Sequence, residues 1–258
     1  MIKSTFLKKV GYKVLYALCK NGIRVKINDF SIQLPVYYFR LFPKDYEKEN
    51  FAYIIKSIKQ GDIILDIGAH IGLTATIFGK IVKEQGKVFS FEPTPLSFVT
   101  LKETIRINGL QNIVTPVNMP VSEKSGKVNF FVSETNVDVA NSLVEYEEGK
   151  NLKAIIVDST SIDDFVAAQK LTSVDFIKID AEGAEYKVLL GGFHVFTKFR
   201  PKAILALHPI AIAANNDSLE QIFDQLKLMN YNIIFDGNEI CKESFCEKNE
   251  LFDVHLKP

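Results

Sequence analysis

The chain has 258 residues, 47% hydrophobic and 24% charged, which suits one sizeable folded domain with a decorated N-terminus. Thirty-one Lys and Arg balance 31 Asp and Glu, so the net charge is zero. That argues against a broad polyanion-binding surface, and no nucleic acid is expected as a partner. Cys19, Cys241 and Cys246 lack C-x-x-C spacing. They are expected as reduced thiols in a cytoplasmic protein rather than as a metal or disulfide framework.

Residues 1–60 read as an N-terminal extension and 61–258 as the main domain. No run of about 18 apolar residues is present, so no spanning helix is expected. Phe6, Val10, Val14, Ala17 and Leu18 fall on one helical face and Lys3, Lys8, Lys9, Lys13 and Lys20 on the rest. Two readings fit residues 1–20: a helix that caps the sheet or meets another protomer, and an interfacial helix in peripheral contact with an anionic membrane. A signal peptide is not expected, because no uninterrupted apolar core is present. Arg24 to Ile27 and Phe30 to Leu34 alternate around Asn28-Asp29 as an antiparallel hairpin does. Pro35 and Pro43 then punctuate a loop, and residues 45–60 read as a helix leading to the first core strand.

Ile63, Ile64 and Leu65 form a short apolar run bounded by Gly61 and Gly68, as in a strand buried on both faces. After Asp66 come Gly68, Ala69, His70 and Gly72, and then Leu73 to Val82 with apolar residues at helical spacing. Strand, glycine turn and helix open a nucleotide-type site in a parallel α/β sheet, where ligands bind outside the strands' C-terminal ends. The third glycine of G-x-G-x-x-G is missing, and so is the Lys-Ser/Thr ending of a phosphate loop. The remaining D-x-G-x-x-x-G pattern resembles that of class I methyltransferases, which bind S-adenosylmethionine.

Lys87 to Phe91 is the second parallel strand, ending at Glu92-Pro93. A carboxylate there, just over twenty residues past the glycine loop, can accept both vicinal hydroxyls of a ribose. The competing role is charge complementation of the helix that Pro95 opens and Asn108-Gly109 closes. Ile113 to Val117 is a third strand, ending at Asn118, which serves either as an adenine contact or as a plain turn residue. Lys127 to Val132 and Ala154 to Val157 read as an antiparallel insertion around a variable stretch at Val139 to Leu143. Thr160 to Asp164 has N-cap chemistry, so Asp163 and Asp164 are assigned to capping and solvation.

A second chemical centre is Val174 to Tyr186. Phe176 to Ile179 is a strand that places Lys178 and Asp180 on one side, and Glu182-Gly183 opens the next helix. In a doubly wound sheet the first and fourth strands flank the switch point, so this centre should meet the glycine loop. A buried Lys beside carboxylates carries either function or a loop-fixing ion pair. Pro201 to Leu207 is a fifth strand ending at His208, which could take a proton near neutral pH or satisfy a loop. Leu219 to Met229 is a helix, and the strands Asn232 to Phe235 and Glu250 to Leu256 close the sheet.

Assembled in order, these stretches resemble the FkbM family of methyltransferases. The resemblance rests on Leu65-Asp-Ile-Gly-Ala-His-Ile-Gly-Leu-Thr74, Phe91-Glu-Pro-Thr-Pro-Leu-Ser-Phe98, Ile105-Arg-Ile-Asn-Gly-Leu110, Val121-Ser-Glu-Lys-Ser-Gly126, Thr160-Ser-Ile-Asp163 and Phe176-Ile-Lys-Ile-Asp-Ala-Glu-Gly-Ala-Glu185. It implies a class I methyltransferase sheet, mostly parallel with an antiparallel closing hairpin. It also implies S-adenosyl-L-methionine as donor and a hydroxyl acceptor on a sugar, polysaccharide or secondary metabolite. Asp66, Gly68 and Gly72 would then line the methionine end and Glu92 hold the ribose, with Asp180 and Glu182 beside the moving methyl. Ala69, His70, Asn118 and Asp180 are further candidate cofactor contacts.

The expected reaction is an in-line displacement in which the enzyme aligns donor and oxygen. Asp180 is the first candidate base, His208 the second, Glu182 an orienter and Lys178 a charge partner. Two departures from the family pattern stand out. His70 occupies a position where Asn is common, and Ala206 one where many members carry a carboxylate. A divalent metal on Asp180, Glu182 and Glu185 is compatible with oxygen ligands but not expected. A nicotinamide oxidoreductase and a non-catalytic cofactor-binding module are the alternatives, with RNA methylation as a further substrate alternative. Oligomeric state is not legible.

Overall fold

The computed structural model describes residues 15–133 and 152–258. Residues 1–14 of the amphipathic N-terminal stretch and the variable stretch at Val139 to Leu143 lie outside the described residues.

Strands β1 (Ile23–Ile27) and β2 (Phe30–Leu34) pair antiparallel, with Ile27 opposite Phe30. Asn28 makes the turn with a left-handed φ of 48°, which Asn tolerates better than most residues. Helix α1 (Lys48–Ser57) leads to β3 (Ile63–Ile67), α2 (Leu73–Val82), β4 (Lys87–Phe91), α3 (Pro95–Ile107) and β5 (Val114–Val117). β6 (Gly126–Ser133) and β7 (Leu152–Ser159) form a separate antiparallel ribbon. α4 (Ile162–Ala168), β8 (Phe176–Ile179), α5 (Glu185–Leu190), α6 (Phe193–Phe199) and β9 (Lys202–Leu207) follow. The chain finishes with α7 (Pro209–Ala214), α8 (Leu219–Leu228), β10 (Asn232–Phe235), β11 (Asn238–Glu239), α9 (Lys242–Cys246) and β12 (Phe252–Lys257).

Among the described residues the main sheet has eight strands in the order β11-β10-β12-β9-β8-β3-β4-β5. The block from β9 to β5 is parallel, and β12 runs antiparallel to both β9 and β10. This is the doubly wound α/β sheet with an antiparallel close that the sequence implied. The switch lies between β3 and β8, whose following helices cover opposite faces of the sheet.

Period-two alternation divides the core. Ile64 of β3, Phe176 of β8 and Ile204 of β9 face α1, α2 and α3. Leu65, Ile177 and Leu205 face α4, α5, α6 and α8. The hairpin side chains Ile27, Ile32 and Leu34 join the first of these cores, so the extension shares its hydrophobic interior with the sheet. Asn108, which caps α3, reinforces that join. Its Nδ2 donates to the Gln33 carbonyl (2.8 Å), and its Oδ1 accepts from the Gln33 N–H (3.0 Å).

The helix start after Thr160 is as expected, but the two aspartates expected to cap it serve other partners, Asp164 Oδ2 accepting from Ser125 Oγ at 2.6 Å. Ser161 caps α4 by accepting from Asp164 N, whereas both Asp163 oxygens accept from His194 N and Val195 N at the start of α6. One helix start differs from expectation. Glu182 and Gly183 both have positive φ (49° and 100°), which the right-handed helix excludes, so α5 begins at Glu185.

Helix α1 is clamped to β12. Asn50 Nδ2 donates to Asp253 Oδ2 (2.8 Å), Asn50 Oδ1 lies 3.0 Å from His255 Nε2, and Tyr53 stacks on the His255 ring at 4.0 Å and 3°. Burial pushes the His255 imidazole down to about 4. The unfolded chain therefore binds the proton more readily, and this contribution to stability is full above about pH 6.5 and lost as pH falls through about 4. Thermal unfolding followed across that window should show a falling Tm, and His255→Gln should flatten the acid limb. An unchanged acid limb in the variant would show that the clamp does not titrate this way.

Candidate functional site

Adjacent parallel strands bring the two chemical centres together. Asp66 of β3 lies opposite Lys178 of β8 in register, so both side chains rise on one face. Lys178 Nζ reaches Asp180 Oδ2 at 2.9 Å. Burial opposes the ammonium charge, but the field of Asp180, Asp66 and Glu47 outweighs it and holds the Lys178 pKa above the ordinary lysine range. Asp66 is completely buried, and burial raises its carboxyl to about 6. Its Oδ2 accepts from Ser90 Oγ at 3.4 Å.

The glycine loop packs directly onto the second centre. Gly68 has φ +79°, and a Cβ there would overlap the carbonyl oxygen of Asp180. Gly72 serves a different contact: a Cβ would come within 2.7 Å of Leu101 Cδ1, so its role is the close approach of α2 to α3. The loop's amides are engaged with β4. Gly68 N and Ala69 N both donate to the Phe91 carbonyl (3.1 and 2.9 Å), and His70 N donates to Glu92 Oε2 (2.8 Å). No fan of free N–H groups is therefore offered by these three residues to a pyrophosphate.

A cleft of about 960 Å³, counting space open to solvent, lies above these strand ends. Gly68, Ala69, His70, Glu92, Lys178, Asp180 and Glu182 all line it, so the two centres share one cleft. Met119, Pro120 and Phe130 contribute an apolar wall, and the extension contributes Phe42, Tyr46 and Glu47.

Four residues expected at the site stand back from the lining: Asp66 lies beneath the loop, Gly72 faces α3, Asn118 ties down the end of β4, and His208 sits behind Asp180 and Glu182. Asn118 Nδ2 donates to the carbonyls of Glu92 (2.8 Å) and Pro93 (3.3 Å). The Glu92 oxygens accept from His70 N and, at 2.8 Å, from Thr94 N. Each oxygen retains a second lone pair for a ligand hydroxyl. Burial raises the Glu92 pKa.

His208, at the end of β9, closes the site from below. Its Nε2 lies 3.7 Å from Asp180 Oδ1 and 3.6 Å from Glu182 Oε2. Its Nδ1 lies 2.8 Å from Glu185 Oε1, which also accepts from Gly183 N at 3.0 Å. Glu185 is thus the carboxylate partner that the Ala206 position does not supply. The sequence signal for it was the alternation of acids in Asp180-x-Glu182-x-x-Glu185, folded back by the two left-handed residues. Burial lowers the His208 pKa, but Glu185, Glu182 and Asp180 raise it further, to about 9. Burial opposes the Asp180 charge in turn, yet Lys178 and His208 hold that carboxyl below its usual range.

The chemistry of a metal site differs from expectation. Asp180, Glu182 and His208 each offer one ligand atom, all within 4.8 Å of one another. Glu185, the expected third acid, is engaged with the imidazole instead. The protonated His208 and Lys178 offset part of the carboxylates' charge.

The residues fit S-adenosylmethionine on one observation in particular. His70 lines the cleft and its Nε2 is buried without a hydrogen-bond partner among the described residues, so a polar ligand group there would satisfy it.

Comparison with known proteins bears on the same residues. A family model described as the methyltransferase FkbM domain matches residues 66–233. The 2-O-methyltransferase NoeI of Sinorhizobium fredii is 28% identical over 154 residues, 55% of this chain and 62% of that protein. The hexuronic acid methyltransferase AglP of Haloferax volcanii is 26% identical over 162 residues, 63% of each chain. These matches span about three-fifths of the relatives' length. A crystal structure of the methyltransferase FkbM from Methylobacillus flagellatus superposes with a TM-score of 0.48 at 19% identity, over 76% of this chain and 42% of that one.

Substitution separates the close approach at Gly68 from backbone strain. Gly109→Ala has φ +70° and open space, and should cost about 1 kcal/mol. Gly68→Ala adds the overlap with Asp180, and should cost more, about 3 kcal/mol or above. Equal losses in denaturant titrations would show that the loop and β8 are not in contact.

Proposed function

This chain belongs to the FkbM family of methyltransferases, and from that premise we propose that it methylates a hydroxyl of a saccharide or a secondary metabolite, using S-adenosylmethionine. The observation that carries the reading is the convergence of the glycine loop, the Glu92 end of β4 and the Asp180-Glu182 turn on one cleft. The printed activities of NoeI and AglP, a 2-O-methyltransferase and a hexuronic acid methyltransferase, support oxygen as the methylated atom and a sugar as the acceptor.

When bound, S-adenosylmethionine supplies a methyl already activated by its sulfonium. Gly68, Ala69 and His70 would hold its methionine end and Glu92 its ribose. Asn118 would act indirectly, by fixing the β4 terminus beside the Met119-Pro120 wall. Asp180 and Glu182 orient the acceptor hydroxyl and, with Lys178 fixing Asp180 Oδ2, confine its approach. The hydroxyl proton passes toward His208 Nε2, while Glu185 holds the opposite ring nitrogen. Asp180, kept ionised by Lys178, is the weaker final acceptor, so the proton's destination moves to neutral His208 from the order the sequence suggested. A cytoplasmic setting belongs to the same proposal, with Cys19, Cys241 and Cys246 as free thiols.

Calorimetry of the purified chain should detect binding of S-adenosylhomocysteine and none of NADH. The reverse would replace the methyl-transfer reading with the oxidoreductase one. Glu92→Gln should weaken that binding by about 1.5–3 kcal/mol, the range for a hydrogen bond to a charged group.

On a hydroxyl acceptor found by panel, only neutral His208 can take the proton, and its pKa is about 9. kcat/KM should therefore climb with pH and level near that value. His208→Asn should lose roughly 10²–10⁴ in rate together with the climb. Turnover should survive EDTA. Loss of activity on chelation would instead place an ion on Asp180, Glu182 and His208. Affinity for the donor product without turnover on any acceptor would favour the non-catalytic module.

A further inference from the structure

The zero net charge conceals a separation along the chain. Residues 1–44 hold nine Lys or Arg against the single acid Asp29, which leaves 22 basic residues against 30 acidic ones in the remainder. Within the described part of that segment Lys20, Arg24, Lys26, Arg40 and Lys44 are all exposed. The same segment exposes Leu15, Tyr16, Leu18, Tyr37 and Leu41, with Leu18 at 78%. Scattered apolar side chains at a surface are ordinary, but here two exposed stretches meet. The Tyr16 and Tyr37 rings lie 6.0 Å apart, so the helical turn at residues 15–18 packs on the loop that begins at Pro35. Leu41 N then folds back onto the Tyr38 carbonyl at 3.0 Å. Exposed leucines and tyrosines of the two stretches are thereby brought together in a segment rich in exposed cations. Among the described ion pairs, Lys26 alone of these cations lies near an acid, Asp29, at 4.0 Å.

We propose that this segment docks the protein on an anionic lipid bilayer. Three occupants would cover apolar surface or match positive charge, and only one does both. A second copy of the chain would bring its own excess of positive charge against the first. RNA would match the charge but leave Leu18 and Leu41 in water. Anionic lipid offers phosphates to Arg40 and Lys44, an interfacial layer suited to the tyrosine rings, and hydrocarbon for the leucines. The inference stands apart from methyl transfer. Its consequence rests on that reading: Phe42, Tyr46 and Glu47 continue directly from Leu41 into the cleft wall, so a docked protein meets its hydroxyl acceptor as a saccharide carried at the membrane surface.

The test is flotation of the full chain with phosphatidylcholine vesicles, with and without phosphatidylglycerol. Binding should require the anionic lipid and weaken as salt is raised. Arg40→Glu with Lys44→Glu should reduce vesicle affinity by at least about tenfold, as expected for two charge reversals at a lipid surface. Leu18→Ser with Leu41→Ser should lose comparable affinity. Both pairs are exposed, and unchanged S-adenosylhomocysteine binding would verify that they fold. Four results would overturn the proposal: no flotation, equal binding to neutral vesicles, tighter binding of a single-stranded RNA, or a dimer that the leucine pair dissolves. Vesicle binding in a protein that fails to bind S-adenosylhomocysteine would sink the functional reading and leave this one standing.

Discussion

A buried ammonium organises the molecule. Lys178 is 6% exposed and lies in the joint field of Asp180, Asp66 and Glu47, which come from β8's own end, from β3 and from the residue before α1. An unpaired charge at that depth would cost several kcal/mol, and removing one partner of such a set typically costs about 3–5 kcal/mol. The three segments are therefore tied electrostatically as well as by packing. Because β3 and β8 are neighbours at the sheet's switch point, the tie falls where a doubly wound fold opens its crevice. The cleft and the structural centre are thus the same place.

Much of this was legible before folding. The glycine loop and the α2 and β4 boundaries followed from local chemistry: an apolar run, turn glycines and helical periodicity. The pairing of Lys178 with Asp180 followed from strand alternation alone. What escaped depended on tertiary distance or on backbone sign. Glu185 looked like one acid among several until Glu182 and Gly183 took left-handed φ and turned it under His208. Gly72 looked like a ligand contact because it sits in the motif, whereas its surroundings are Leu101 and Thr104 of α3. Asn118 likewise stands at the right strand end but points its amide at the backbone of its neighbour. Spacing reveals which residues share a loop, but not which side of the loop each one serves.

The extension also changes meaning in three dimensions. A hairpin and helix outside the matched stretch could have been a mobile appendage. Its side chains instead complete a core with Ile64, Phe78 and Val88, and Phe42, Tyr46 and Glu47 form a wall of the cleft. This part of the chain, outside the matched residues 66–233, is therefore built into the cleft itself, alongside the glycine loop.

The position of β12 has a kinetic consequence. This strand is made last among the described elements, yet it lies between β9 and β10, and Asn50 of α1 bonds to Asp253 within it. During synthesis β9 must present a bare edge, and β10 must wait without its neighbour, until residues 252–257 emerge. Long-range pairings of this kind close slowly, and open edges invite association with other chains while they wait. Helix α1 and the cleft wall before it gain their final anchor only at that moment. A nascent chain can therefore complete its glycine loop well before the cleft wall gains that anchor, which separates the two steps in time.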